Sequence, residues 1–288
     1  MAETQVKNPG QVFVFALFST VLFSFMNLAV KYAAENGVHI TQIILFRNLL
    51  ALPVLLLLIS RHMDSQTLLH TKRPFSHMMR GLVGVSAMAC FFLSFKLMPL
   101  GDATALHFAS PLILTALSVP FLKEHVGPWR WSAVGVGLIG VLIIAAPTGE
   151  TNYLGSFIAL MAALLAAVAA ILVRKMGETE NSLTIVFYFT LCGIILSLVL
   201  CPFFWQPIAS VWVFYALLMV GILGGIAQYF LTKAYAQAPA AYVSVFSYAS
   251  IVFSIGFDII FWAKFPLWNV WIGATIIVGS GLLILYRE

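Results

Sequence analysis

The side chains best suited to binding chemistry lie inside long apolar runs. In one run His107 shares a helical face with Thr104, Ser110 and Leu114, and Ser110 is followed by Pro111. Proline lacks a backbone N–H and kinks a helix, which frees carbonyls beside an imidazole and a hydroxyl. A second run carries Gln228, Tyr229 and Thr232, and a third carries Ser244, Ser247, Tyr248, Ser250 and Ser254. Asn27, with Ser24 a turn before it and Lys31 a turn after it, lies in the first run. Such groups hold a ligand by hydrogen bonds. Each also has a plainer role: His107 satisfied by a neighbouring hydroxyl, a serine bonded to its own i−4 carbonyl, or Gln228 clamping two helices. Phe91, Phe92 and Phe95 offer an apolar wall for a hydrophobic side chain.

Charges in these runs are few, and one at mid-membrane costs at least about 2.5–3.5 kcal/mol. Arg47 either binds an anionic group of a ligand or pairs with Asp102 or Asp258, and the structural pairing is favoured. Asp258 is a candidate proton site, with interfacial placement the safer reading. Lys31, near the end of its run, is expected to snorkel to the interface. Arg47, Pro111 and Asp258 are therefore expected to be structural or gating residues, and Asn27, Phe91, Phe95, His107, Ser110, Gln228, Tyr229, Ser244, Ser247 and Tyr248 ligand-binding ones. No GxSxG, HExxH, intramembrane acid pair or phosphate loop is present. Cys90, Cys192 and Cys201 have no metal-ligand spacing. No enzyme, cofactor, metal site or ATP hydrolysis is expected.

These residues are carried by a chain that is 62% hydrophobic and 9% charged, against roughly 45–50% and about 25% in a soluble domain. Lipid is its expected solvent. With about 20 apolar residues per crossing, spans fall at 11–34, 41–60, 75–98, 102–122, 128–146, 152–172, 183–201, 210–232, 240–261 and 267–286. Eleven of the 15 Lys and Arg, Arg80 among them, then flank one face of the membrane. The positive-inside rule makes that face cytoplasmic and puts both termini there. The net charge of +5 therefore speaks for topology, not for nucleic acid.

A shift of roughly 139 residues overlays Trp129 on Trp268, Gly140 on Gly279, and the Pro99 break on the Pro239 break. The expectation is two five-helix repeats, 11–146 and 152–286. An odd number of spans per repeat inverts the second copy, as in many secondary transporters. Spans 5 and 10 carry glycine stripes, which suits a scaffold contact or a homodimer contact. Monomer and homodimer stay open.

The stretch Leu97–Glu124, LMPLGDATALHFASPLILTALSVPFLKE, resembles the EamA-type drug/metabolite transporter family in its Pro break, Ala-rich helix start, mid-helix Ser-Pro and terminal Glu. Trp129–Gly140 and FRNLLA at Phe46–Ala51 are similar to the family as well. Within it the chain is most similar to the YddG-type amino-acid exporters. The resemblance implies an all-α protein of a bacterial-type inner membrane, with ten helices in two inverted repeats. It also implies alternating access and outward movement of a neutral or aromatic amino acid. Import of a larger metabolite such as S-adenosylmethionine or riboflavin is the runner-up, and a non-transporting membrane subunit or lipid-modifying enzyme the other class. The second half departs from the pattern: Ser250 stands where span 4 has Pro111, and Ala263 where it has Glu124. Span 9 is therefore expected to be unkinked.

Overall fold

The computed structural model describes residues 9–62, 71, 73–122, 127–145, 152–177, 179–235 and 246–286. Among them every regular element is a helix: α1 (Pro9–Glu35), α2 (Ile40–His62), α3 (Pro74–Leu97), α4a (Leu100–His107), α4b (Ser110–Leu122), α5 (Pro128–Ile144), α6 (Tyr153–Met176), α7 (Ser182–Phe204), α8 (Val211–Tyr235), α9 (Ala249–Trp262) and α10 (Trp268–Tyr286). Seven helices are long and apolar enough to cross a membrane, and three shorter apolar stretches lie in α5, α9 and α10. Large apolar side chains face outward. Val252, Ile260, Phe203 and Phe265 are 73–78% exposed, far beyond what water tolerates over a continuous surface.

The packing has internal symmetry. Helix α1 lies along α8 as α6 lies along α3, and α2 packs on α8 as α7 packs on α3. Likewise α9 meets α1 as α4a and α4b meet α6. The pairs α2–α7, α4a–α9 and α5–α10 each join counterparts. Exchanging the first five helices for the last five returns these pairs, whereas the α1–α3 and α2–α3 contacts have no counterpart of like extent among the described residues. In lipid, where apolar burial does not drive association, backbones must approach closely to gain van der Waals contact. Helices α5 and α10 do so at Gly140 and Gly273, where a Cβ on Gly140 would lie 2.8 Å from the Gly273 carbonyl oxygen.

Polar side chains close the helix ends. The Asn152 side chain accepts a bond from Gly155 N at 2.9 Å, capping α6, and donates to the Leu97 carbonyl at 2.9 Å, ending α3. Asn152→Ala should cost about 0.5–2 kcal/mol, the usual loss for an N-cap, read as a lowered unfolding midpoint in detergent. Gln42 joins the start of α2 to the residues just past the end of α7: its amide donates to Gln206 O at 2.8 Å and its carbonyl accepts from Gln206 N at 3.1 Å. Beside it the His39 ring stacks on Phe204. Burial and the charge of Lys96 hold the His39 imidazole below its ordinary pKa.

Span 4 is broken as its Ser-Pro predicts. Phe108 and Ala109 form a turn, and the helix restarts at Ser110. With Pro111 in place, the His107 carbonyl has no i+4 N–H to accept. Span 9 corrects the expectation of an unkinked helix. Tyr248 occupies a turn ahead of α9, with Ile251 N bonded to Tyr248 O at 3.1 Å. At its far end α9 closes through Ala263 in the left-handed region (φ 51°), with Lys264 N bonded to Asp258 O at 3.1 Å.

Candidate functional site

At the end of the bundle that carries the 36–39, 98–99 and 263–267 connections, three helices are latched by one carboxylate. Asp258 on α9 lies 3.0 Å from Lys31 Nζ on α1, with both side chains at most 2% exposed. The same carboxylate accepts Leu100 N at 3.0 Å and Gly101 N at 2.7 Å, the first amides of α4a. Those amides are orphaned by the Pro99 break, and an anion there also complements the helix dipole. Lys31 further reaches the Met98 carbonyl at 3.4 Å and lies 4.6 Å from the Trp262 ring centroid. One turn deeper Thr104 bonds Ser254 at 3.1 Å. Two expectations are corrected: Lys31 is fully buried instead of snorkelling, and Asp258 is a buried latch instead of an interfacial acid. Beside the latch lies a polar basin of about 500 Å³ whose lining includes Glu35, Lys96, Asp102, Asn152, Lys264 and Asn269.

Arg47 does not make the acid pairing favoured from sequence. It pairs with neither Asp102 nor Asp258, because Lys31 takes the latter. Its Nη1 donates to Asn48 Oδ1 at 3.1 Å, and its Nε is buried without a hydrogen-bond partner. The guanidinium carbon is 5.7 Å from the Phe189 ring centroid. A second guanidinium, Arg80 of α3, lies 4.5 Å from the same ring, and its Nε and Nη1 also lack partners. Glycines make the room: a Cβ on Gly84 would collide with Arg80 and Phe189, and one on Gly224 would touch Arg47. Arg47 follows the start of α2 by seven residues and Arg80 the start of α3 by six, roughly 9–10 Å along each axis at 1.5 Å per residue. These helices start at opposite ends of the bundle, so the long side chains meet near its middle. Each such charge costs at least about 2.5–3.5 kcal/mol, and an aromatic face returns about 0.5–2 kcal/mol. Arg47 lines a slot of about 20 Å³ between α2, α7 and α8, with Phe189, Thr190, Gln228 and Tyr229. That volume admits one water-sized group.

The remaining candidates form an aromatic cluster. His107 stacks on Phe91 with centroids 4.0 Å apart, Phe91 touches Phe95 at 4.5 Å, and Phe108 meets Tyr248 at 4.8 Å. Phe95 is buried, while Phe91 and His107 are half-buried. His107 Nδ1 and Asn27 Oδ1 are buried without hydrogen-bond partners. Ser110 and Ser247 are half-buried on either side of the two breaks. Ser244 lies outside the described residues.

The EamA-like transporter family matches residues 11–146 and again 153–286. The chain belongs to this family. The transporter is 29% identical over 255 residues to the pseudopaline exporter of Pseudomonas aeruginosa, covering 87% of each chain. It is 28% identical over 272 residues to the S-adenosylmethionine uptake transporter of Rickettsia felis, covering 94% of this chain and 91% of that one. Against the riboflavin transporter of Vibrio cholerae it is 28% identical over 277 residues, covering 95% and 92%. A protein of known crystal structure superposes with a TM-score of 0.66 over 96% of each chain at 19% identity, a likeness of fold. The transporter is a multi-pass membrane protein of the bacterial inner-membrane type.

Within the transporter, six of the residues singled out by sequence, with Tyr248, fall in two places. Phe91, Phe95 and His107 share the aromatic cluster with Tyr248 close by, whereas Arg47, Gln228 and Tyr229 share the slot. Arg80 was missed as a site residue, because from sequence it reads as a charge flanking span 3. Its signal is faint: it lies six residues into an apolar helix, with Gly84 one turn on to accommodate it.

Proposed function

We propose that the transporter exports neutral or aromatic amino acids by alternating access between two inverted five-helix repeats, 11–146 and 152–286, with ten spans and both termini cytoplasmic. In this reading the latch end is the outer end, which carries Lys31, Lys96 and Lys264 but few other cations, and the Lys31–Asp258 latch holds it shut. The exchange symmetry of the helix packing supports the repeat reading. The observation that carries the cargo assignment is the half-buried Phe91–His107 stack beside the broken α4. There, aromatic faces adjoin an unpartnered ring nitrogen and a carbonyl without its helical donor. Rings of this kind hold an apolar side chain.

Counterflow of a labelled amino-acid panel into liposomes holding the purified protein, with and without a proton gradient, tests the reading. Exchange of L-phenylalanine and L-leucine is expected. Phe91→Ala should weaken L-phenylalanine uptake about tenfold, equivalent to about 1.4 kcal/mol, and leave L-alanine uptake nearly unchanged. Silence on every amino acid together with exchange of S-adenosylmethionine or riboflavin would replace this reading with the second one. That alternative is favoured by what the Rickettsia and Vibrio relatives carry.

A further inference from the structure

The two arginines have a feature that amino-acid transport by itself does not require: both are directed to one ring at mid-membrane, and neither has an acid. Among the described residues the salt bridges are Lys31–Asp258 and His77–Glu180, so the acids Asp258 and Glu180 are both engaged elsewhere. Arg47 is 8% exposed and keeps an unpartnered Nε, and it lines the slot between α2, α7 and α8. Arg80 adds a second charge against the same ring, with two unpartnered nitrogens. A guanidinium is always charged and presents a planar fork of donors that matches a carboxylate. Asn48 and Phe189 engage only part of each fork. Two uncompensated cations held apart from lipid by glycine-cleared space are the arrangement expected of a pocket completed by an anionic ligand. The slot has room for one water-sized group, the size of a single carboxylate oxygen, and Gln228 and Thr190 at its wall add neutral hydrogen-bonding groups.

We propose that this slot, with Arg47 as its direct ligand and Arg80 beside it against Phe189, binds the carboxylate group of the transported molecule at mid-membrane. The inference deepens the amino-acid reading and rests on it for the identity of the cargo, but the site chemistry extends to any organic acid small enough to enter. The test uses the full-length protein in lipid nanodiscs. Phenylglyoxal modifies accessible guanidinium groups, and peptide mass spectrometry reports the rate at Arg47 and Arg80 separately. The ligands are L-phenylalanine, L-phenylalaninamide, 3-phenylpropionate, succinate and inorganic phosphate.

One or more carboxylates should slow modification at Arg47 and Arg80, and the amide should not. Arg47→Gln and Arg80→Gln should each weaken binding of the protecting acid about tenfold or more and remove the preference for acid over amide. The wild-type labelling decides the matter even where a variant fails to fold. Equal protection by acid and amide, or protection by no acid, would overturn the proposal, and so would protection by phosphate alone. Protection by 3-phenylpropionate or succinate but not by L-phenylalanine would sustain the carboxylate site and sink the amino-acid reading. Transport of L-phenylalanine without protection of Arg47 would do the reverse.

Discussion

Replacing Asp258 with alanine is expected to destabilise the transporter by about 3–5 kcal/mol, the usual cost of leaving one member of a buried ion pair alone. Three helices lose their common partner at once. Lys31, fully buried, keeps only the Met98 carbonyl and the Trp262 face, and Leu100 N and Gly101 N are left without an acceptor. Equilibrium unfolding in mixed micelles measures the loss. The double variant Lys31→Met/Asp258→Leu separates its causes. An apolar pair of similar volume often replaces a buried ion pair at little cost, so most of the loss should return. A remainder of about 1–3 kcal/mol should persist, because the two amides of α4a still lack an acceptor. Asp258→Asn should fall between, since an amide oxygen serves one N–H but leaves Lys31 unpaired. A loss below about 1 kcal/mol for Asp258→Ala would show that the latch is not closed in the dominant state. If the latch guards the outer end, the same variant should also shift the population toward the outward-open state, by as much as the latch favours the closed one.

The latch shows where the sequence stops being readable. Helix positions are legible because lipid requires apolar side chains over a whole span, and a window of composition reports that directly. The break in span 4 is legible because one residue, Pro111, removes one donor. The latch involves Lys31 and Asp258, which are 227 residues apart, and neither carries a local mark of its partner. Arg47 illustrates the same gap. Sequence confines it to three fates, and only packing reveals that Lys31 takes Asp258 and that Arg80 approaches Arg47 over the Phe189 ring. For Tyr248 the error has another source. The absence of proline was read as the absence of a break, yet a turn needs only a backbone bond over three residues, which any residue with an N–H can make.

Glycine stripes offer a second large effect, and here too spacing alone does not name the residues in contact. The repeat offset matches Gly140 with Gly279, but repeat equivalence concerns symmetry and not contact. At the α5–α10 crossing Gly140 faces Gly273, and a Cβ on Gly273 would lie 2.6 Å from the Gly140 carbonyl oxygen. The obstacle is backbone, so the helices themselves must separate. Gly273→Ala is therefore expected to destabilise by about 1–3 kcal/mol, the range for overpacking, despite the roughly 1 kcal/mol that alanine gains over glycine in a helix. The control lies on the same helix. A Cβ on Gly279 meets nothing within 4 Å, so Gly279→Ala should be neutral or stabilising by about 0.4–1 kcal/mol. Paired unfolding measurements on the two variants decide whether the crossing is closely packed. Equal effects would mean that α5 and α10 do not meet at these residues. A loss confined to Gly273 would assign this part of the stripe to scaffolding within one chain, with the outward-facing Gly135 and Gly279 the part left free for a second copy.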